Sequence, residues 1–342
     1  MYQKTVPDLY HEASNEGNSY REAYLNGLDA LIQRKQLEAA NIRDDFGRKI
    51  LLHPEIYREA YRSMLGWPLT EIAAPILSVQ EKLVFENEEV RITRVQLEVF
   101  ENLPFYGILF THKSEKPLPL VLSQHGGLGT PEICSSFFNC ANYNDMSMRL
   151  FHQGVNVFAP QLLLWNPESF GPEHKRGDHD VQLKQLGGYI AAFEIYCLER
   201  VLDYLQTRPE CSGVFGMAGL SYGGFYTLYT AAAETRIQAA LSCGFFNDRI
   251  RFNWPDWVWK DAAHTFLDAE VGALVYPRPL WIAVGDADPV FDAASAKEEH
   301  KRLAGYYENF PDRLHFEVFK GNHEFCVSDD GVRWLCDYLK SR

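Results

Sequence analysis

The chain of 342 residues is 46% apolar and 23% charged, enough for one enlarged α/β domain or two average ones. Its net charge of −13 excludes nucleic acid and an anionic membrane face as partners, because both need clustered positive charge. No apolar run approaches the ~18 residues of a membrane-spanning helix, and the N-terminus carries no apolar leader segment.

Residues 1–78 read as a helical extension packed on the core. Leu25, Leu28, Leu31 and Ile32 share one helical face. A second helix starts at Pro54, uses Ile56, Tyr57, Ala60, Tyr61, Met64 and Leu65, and stops at Gly66. Such helices could also join two copies as a homo-oligomer. Residues 79–342 form the main domain. Alternation over 90–99 and an apolar run at 106–110 predict antiparallel strands at the leading edge of a sheet. Apolar runs at 120–123, 155–159, 214–218, 237–243 and 280–284, with the alternating 314–319, predict further strands. Helical stretches, notably 193–205 and 225–233, separate most of them. The expected class is therefore α/β, a mostly parallel sheet with helices on both faces.

Two excursions interrupt the alternation, at 161–190 and 245–275. The first holds Trp165 and the run Glu173-His-Lys-Arg-Gly-Asp-His-Asp180. It reads as solvated loop charge rather than as a metal site built from His174, Asp178, His179 and Asp180. The second opens with Phe245, Phe246, Phe252, Trp254, Trp257 and Trp259. Aromatics at this density suit an apolar acyl group, an aromatic ester or a sugar face, or pack the excursion on the body. Trp165, Trp254 and Trp257 are the candidate substrate contacts.

The chemistry concentrates in Gly213-Val-Phe-Gly-Met-Ala-Gly-Leu-Ser-Tyr-Gly-Gly-Phe225. A short apolar strand runs into Gly219-Leu-Ser-Tyr-Gly223 and a helix starts at once, which is the context that makes G-x-S-x-G a nucleophile elbow. Serine needs a base, and the base an orienting acid. Asp288, in the loop after strand 280–284, is favoured over Asp286 and Asp292 because it lies further into the turn before Pro289 than Asp286. His323, in the glycine-containing loop after the last strand, has a freedom that His315 and His300 lack. Gln124-His-Gly-Gly-Leu-Gly129, after strand 120–123, supplies backbone amides for a developing oxyanion. Gly127 is the first choice and Gly126 the second, beside the amide of Tyr222, while His125 braces the loop.

These segments, with Tyr276-Pro-Arg-Pro-Leu280 and the helix 199–209, resemble the α/β-hydrolase superfamily. The nearest likeness is to its bacterial branch of dienelactone hydrolase-like and acetyl xylan esterase-like proteins, and it covers roughly residues 80 to 342. The resemblance implies ester hydrolysis through an acyl-enzyme, without cofactor. The expected substrate is a small-molecule ester with a short acyl chain, with a carbohydrate as one alcohol. A peptidase or carbon–carbon bond hydrolase would use the same triad, and a catalytically silent binding protein would share the fold. No metal is expected. The seven cysteines are odd in number and lack C-x-x-C spacing, which argues against a disulfide framework or zinc site and favours the cytoplasm.

Overall fold

The computed structural model describes residues 12–138 and 142–342. The alternating residues after the N-terminal extension form three antiparallel strands, β1 (Val79–Glu86), β2 (Val90–Phe100) and β3 (Leu103–His112). The apolar runs then give β4 (Leu118–Gln124), β5 (Asn156–Pro160), β6 (Cys211–Leu220), β7 (Ile237–Cys243) and β8 (Leu280–Gly285), and the alternating run closes the sheet as β9 (Leu314–Phe319). All nine lie in one sheet ordered β1-β2-β3-β5-β4-β6-β7-β8-β9, with every pair among β5, β4 and β6 to β9 parallel. Strands β4 and β5 are buried almost throughout, because helices cover both faces.

On one face lie α2 (Pro54–Leu65), α6 (Ile190–Gln206), α7 (Tyr222–Ala233) and α8 (Asp268–Val275), packed through Leu65, Ile195, Phe225 and Val271. On the other, α4 (Met146–Phe151) and α10 (Asp330–Lys340) pack Met146 and Leu335 against Val121. The chain leaves β4 toward β5 on one side and later returns to place β6 on the other. The carboxyl ends of β4 and β6 thus flank a topological switch point, where open α/β sheets form their crevice.

The N-terminal helices behave differently from each other. In α2, Tyr61 donates to the Tyr229 carbonyl at 3.1 Å, and Arg62 pairs with Glu199 of α6. By contrast α1 (Asn18–Gly47) buries only Ala39, Arg43 and Gly47. Its Leu25, Leu28, Leu31 and Ile32 are all exposed, so the apolar face read from periodicity is not packed on the core. Residues 1–11 of that extension lie outside the described residues.

Both excursions contain more regular structure than their polar or aromatic composition indicates. Within 161–190 lies α5 (Arg176–Gln185), and the second excursion ends in α8, whose eight residues are all buried. Among the described residues no helix is long and apolar enough to cross a membrane, and no group of three or more His, Cys, Asp or Glu is placed to hold a metal. Cys197, Cys211, Cys243, Cys326 and Cys336 are free and buried, Cys134 is buried, and Cys140 falls outside the described residues.

Candidate active site

Ser221 stands between the end of β6 and the first residue of α7 with φ 60° and ψ −121°. An L-residue held there stores about 1–3 kcal/mol of strain, which persists only when the surroundings impose it. They do so sterically. A Cβ at Gly219 would lie 2.4 Å from the Gly223 carbonyl, and one at Gly223 only 2.0 Å from Gln124 O. The Ser221 N–H donates to Cys243 O at 2.8 Å, which pins the turn to the end of β7.

Asp288 and His323 meet across the loops after β8 and β9. His323 Nδ1 lies 2.8 Å from Asp288 Oδ2, with the Asp288 side chain 1% exposed. The other carboxylate oxygen accepts from the Val290 and Phe291 amides at 2.7 and 3.0 Å, which fixes its direction. Its two rivals are engaged elsewhere. Asp286 accepts from Lys320 and from the Gly321 amide, which together hold its carboxyl below the usual range, and Asp292 caps the helix α9 (Ala293–Tyr306) through Ser295 N at 2.7 Å.

The imidazole sits beside the nucleophile turn. A Cβ added at Gly244, the residue after Cys243, would come 3.6 Å from His323 Cε1 and 3.0 Å from Leu220 Cδ1. Among the described residues no hydrogen bond joins Ser221 Oγ to His323. Such bonds are commonly long in unliganded hydrolases and tighten when substrate arrives.

The loop after β4 separates the two glycines. A Cβ at Gly126 would lie 3.0 Å from Ser221 Cβ, so this loop closes directly over the serine. The Gly126 N–H is already given to the Tyr143 hydroxyl at 2.8 Å. Gly127 N–H has no hydrogen-bond partner among the described residues, and neither does the Tyr222 amide that opens α7. His125 is wholly buried, and burial pushes it down to about 4. Its neutral Nε2 accepts from Leu162 N at 3.1 Å while Nδ1 donates to Gly126 O at 2.8 Å, bracing the loop from below.

The aromatic residues sort into wall and support. Trp254 is half-buried and lies 5.6 Å, ring to ring, from Phe291, which in turn lies 5.7 Å from the His323 ring. Trp257 is 1% exposed and stacks behind Trp254 at 4.5 Å. The expectation of a substrate contact therefore fails for Trp257: it packs against Phe225 and Phe245 and stiffens Trp254. Trp165 is half-buried and bridged to Leu128 of the loop after β4.

The charged run of the first excursion is only partly solvated. Arg176 binds Glu194 of α6 at 2.9 Å and Asp256 of the second excursion at 2.9 Å, and also donates to the Tyr226 hydroxyl at 2.8 Å. The Tyr222 hydroxyl donates to the same Asp256 at 3.0 Å. Burial alone would lower the pKa of Arg176, but Glu194, Tyr226 and Asp256 outweigh it and hold the guanidinium charged. Asp180 is also buried and accepts from the Ile190 amide at 3.0 Å, at the start of α6. In sequence these charges resemble ordinary loop polarity, because the two carboxylates that Arg176 joins lie 18 and 80 residues away from it.

A strained serine at a strand–helix turn, an acid and histidine after later strands, and a glycine loop facing them define the α/β-hydrolase class, whose fold this chain has. No family model matches the chain. It is 26% identical over 246 residues to YtaP of Bacillus subtilis (strain 168), a hydrolase by name only; the match spans 68% of this chain and 81% of that protein. Among solved structures it is similar to a glucuronoyl esterase from Solibacter usitatus, with TM-score 0.58 and 14% identity over 84% of this chain and 90% of that one. It is also similar to an acetyl xylan esterase from Paenibacillus sp. R4, with TM-score 0.56 and 15% identity over 89% and 98% of the two chains.

Proposed function

We propose that the protein is a serine carboxylic ester hydrolase. Ser221 Oγ attacks the ester carbonyl and its proton passes to His323 Nε2, while Asp288 holds the imidazolium through Nδ1–H. The Tyr222 and Gly127 amides donate to the oxyanion. His323 then protonates the departing alcohol, leaving an acyl group on Ser221, and a water activated by the same base releases the acid. The reading rests above all on the 2.8 Å Asp288–His323 contact beside a serine held at φ 60°. The name of the similar acetyl xylan esterase supports a short acyl group carried by a carbohydrate alcohol.

The test is covalent labelling. A fluorophosphonate is expected to add to Ser221 stoichiometrically, located by peptide mass mapping, and to abolish hydrolysis of p-nitrophenyl acetate in step with labelling. Labelling elsewhere, or activity that survives full labelling of Ser221, would sink the proposal. A second expectation separates the acids. Asp288→Asn should lower kcat by about 10³–10⁴-fold, because the imidazole loses its orienting charge and its correct tautomer. Asp286→Asn should change kcat less than about threefold, since only an exposed ion pair with Lys320 is lost. A larger loss at position 286 would reassign the acid.

A further inference from the structure

The loop that carries His323 has no helix or strand of its own. It covers residues 320–329, between β9 and α10, so its backbone polar groups need partners from elsewhere. After His323 these come mainly from one short segment, 142–149, which forms the turn into α4 and the start of that helix. Phe325 N–H donates to Asn142 O at 2.8 Å. The Asn144 side-chain amide donates to Phe325 O at 2.7 Å and to Glu324 Oε2 at 3.0 Å. Arg149 donates to Cys326 O, Ser328 O and Asp329 Oδ1, each at 2.7 Å. The remaining carbonyl beside the histidine, Glu324 O, accepts from Cys243 Sγ at 3.4 Å, at the same strand end that pins the Ser221 amide.

Asn144 ties both sides of the histidine together. The Glu324 carboxylate that it meets accepts the Asn322 amide on its other oxygen at 3.1 Å. His323 therefore stands between two fixed neighbours, Asn322 and Phe325, and its imidazole meets Asp288 at 2.8 Å. The backbone that aims Asn144 is uncommon. Asn144 and Asp145 stand in succession at φ 47° and 53°, a left-handed region that these two residue types tolerate better than other side chains do.

The same segment holds the loop over the serine, because the Tyr143 hydroxyl accepts the Gly126 N–H at 2.8 Å. That loop follows β4 and the histidine loop follows β9, and β6, β7 and β8 lie between those strands. No strand pairing sets one loop against the other, so side chains from 142–149 do it. The apolar residues of α4, Met146 and Leu150, are buried in the core and support the fold. Asn144 and Arg149 instead spend their hydrogen bonds on the chain within six residues of His323.

We propose that Asn144 and Arg149 are positioning residues for His323, holding its imidazole between Asp288 and Ser221. The catalytic consequence rests on the esterase reading, and the clamp on the loop rests on the hydrogen bonds alone.

Asn144→Gly, Arg149→Met and Arg149→Lys are assayed on p-nitrophenyl acetate beside the wild type. Asn144→Gly removes the donor, yet glycine adopts φ 47° without strain, so an unfolding curve near that of wild type separates misplacement from misfolding. Its kcat is expected to fall about 10- to 100-fold with KM changed less than about threefold, the cost of moving a catalytic group by about 1 Å. Arg149→Met should behave alike. Arg149→Lys should recover part, because an ammonium keeps the charge beside Asp329 but cannot fork to two carbonyls. The deciding comparison uses Asp288→Asn, in which the imidazole has already lost its orientation. Adding Asn144→Gly to that variant should cost less than about threefold more, since residues acting through one group are not additive. An equal fold loss in both backgrounds, or an unchanged kcat in Asn144→Gly and Arg149→Met, would overturn the proposal.

The loop is also read without any ester. Hydrogen–deuterium exchange followed by mass spectrometry should show peptides covering 320–329 exchanging about tenfold faster in Asn144→Gly and Arg149→Met, the factor lost with one or two hydrogen bonds. Peptides from β6 and α7 should keep the wild-type rate. A wild type that hydrolyses no ester, with this local change in its variants, would retire the esterase reading and keep the clamp. Exchange at 320–329 that neither variant alters would retire the clamp.

Discussion

Ser221→Ala is expected to lower turnover of p-nitrophenyl acetate by about 10⁴-fold or more while leaving the fold intact. The size follows from what the variant keeps. Without a nucleophile, the two amides and the substrate contacts still stabilise a water-borne transition state, and comparable enzymes retain about 10³–10⁴ over the uncatalysed rate from those parts alone. The small effect on stability follows from geometry. Ser221 Oγ has no hydrogen bond to His323, and the strain at φ 60° belongs to the backbone, which alanine does not relieve. Ser221→Gly should lose activity equally but gain stability, because glycine is unstrained at that φ. Parallel rate assays and denaturant melts check both. A Ser221→Ala protein that keeps most of its activity removes this serine from the mechanism.

The parts of this arrangement that were legible in the sequence are those with local causes. A serine between glycines at a strand–helix junction writes its own geometry, since Gly219 and Gly223 are the positions where a side chain would strike backbone. Asp288 and His323 were legible by their place after successive strands. Spacing does not separate Gly127 from Gly126; the fold does, because Tyr143, seventeen residues on from Gly126, occupies the Gly126 amide. Where reading failed, the cause was a distant partner. The leucines of α1 keep helical period, yet period alone cannot say whether another surface meets them, and here none of the described residues covers them. Trp257 looks like Trp254 in sequence, and only the fold of the excursion puts one behind the other.

Arg176 is the costliest of these hidden residues to remove. Arg176→Met is expected to destabilise the protein by about 3–5 kcal/mol, because Glu194 and Asp256 would stay buried without a counter-charge. Lysine would recover only part, since a single ammonium does not bridge two carboxylates and a phenol as a guanidinium does. If the loss is electrostatic it depends on pH. Burial without a counter-charge penalises only the ionised form of a carboxylate, so the penalty, full near neutrality, should shrink in acid. Adding Glu194→Gln and Asp256→Asn to Arg176→Met should likewise restore much of the stability. The same variant should lower kcat more than it raises KM. Asp256 is the partner of the Tyr222 hydroxyl, and the Tyr222 amide is one of the two donors proposed for the oxyanion. A loosened Tyr222 therefore acts on the transition state before it acts on binding. Urea unfolding at pH 7 and pH 4.5, with steady-state kinetics on the folded fraction, separates the two effects. A loss independent of pH, and not repaired by neutralising the carboxylates, would make Arg176 a packing residue rather than the charge that joins both excursions to the serine turn.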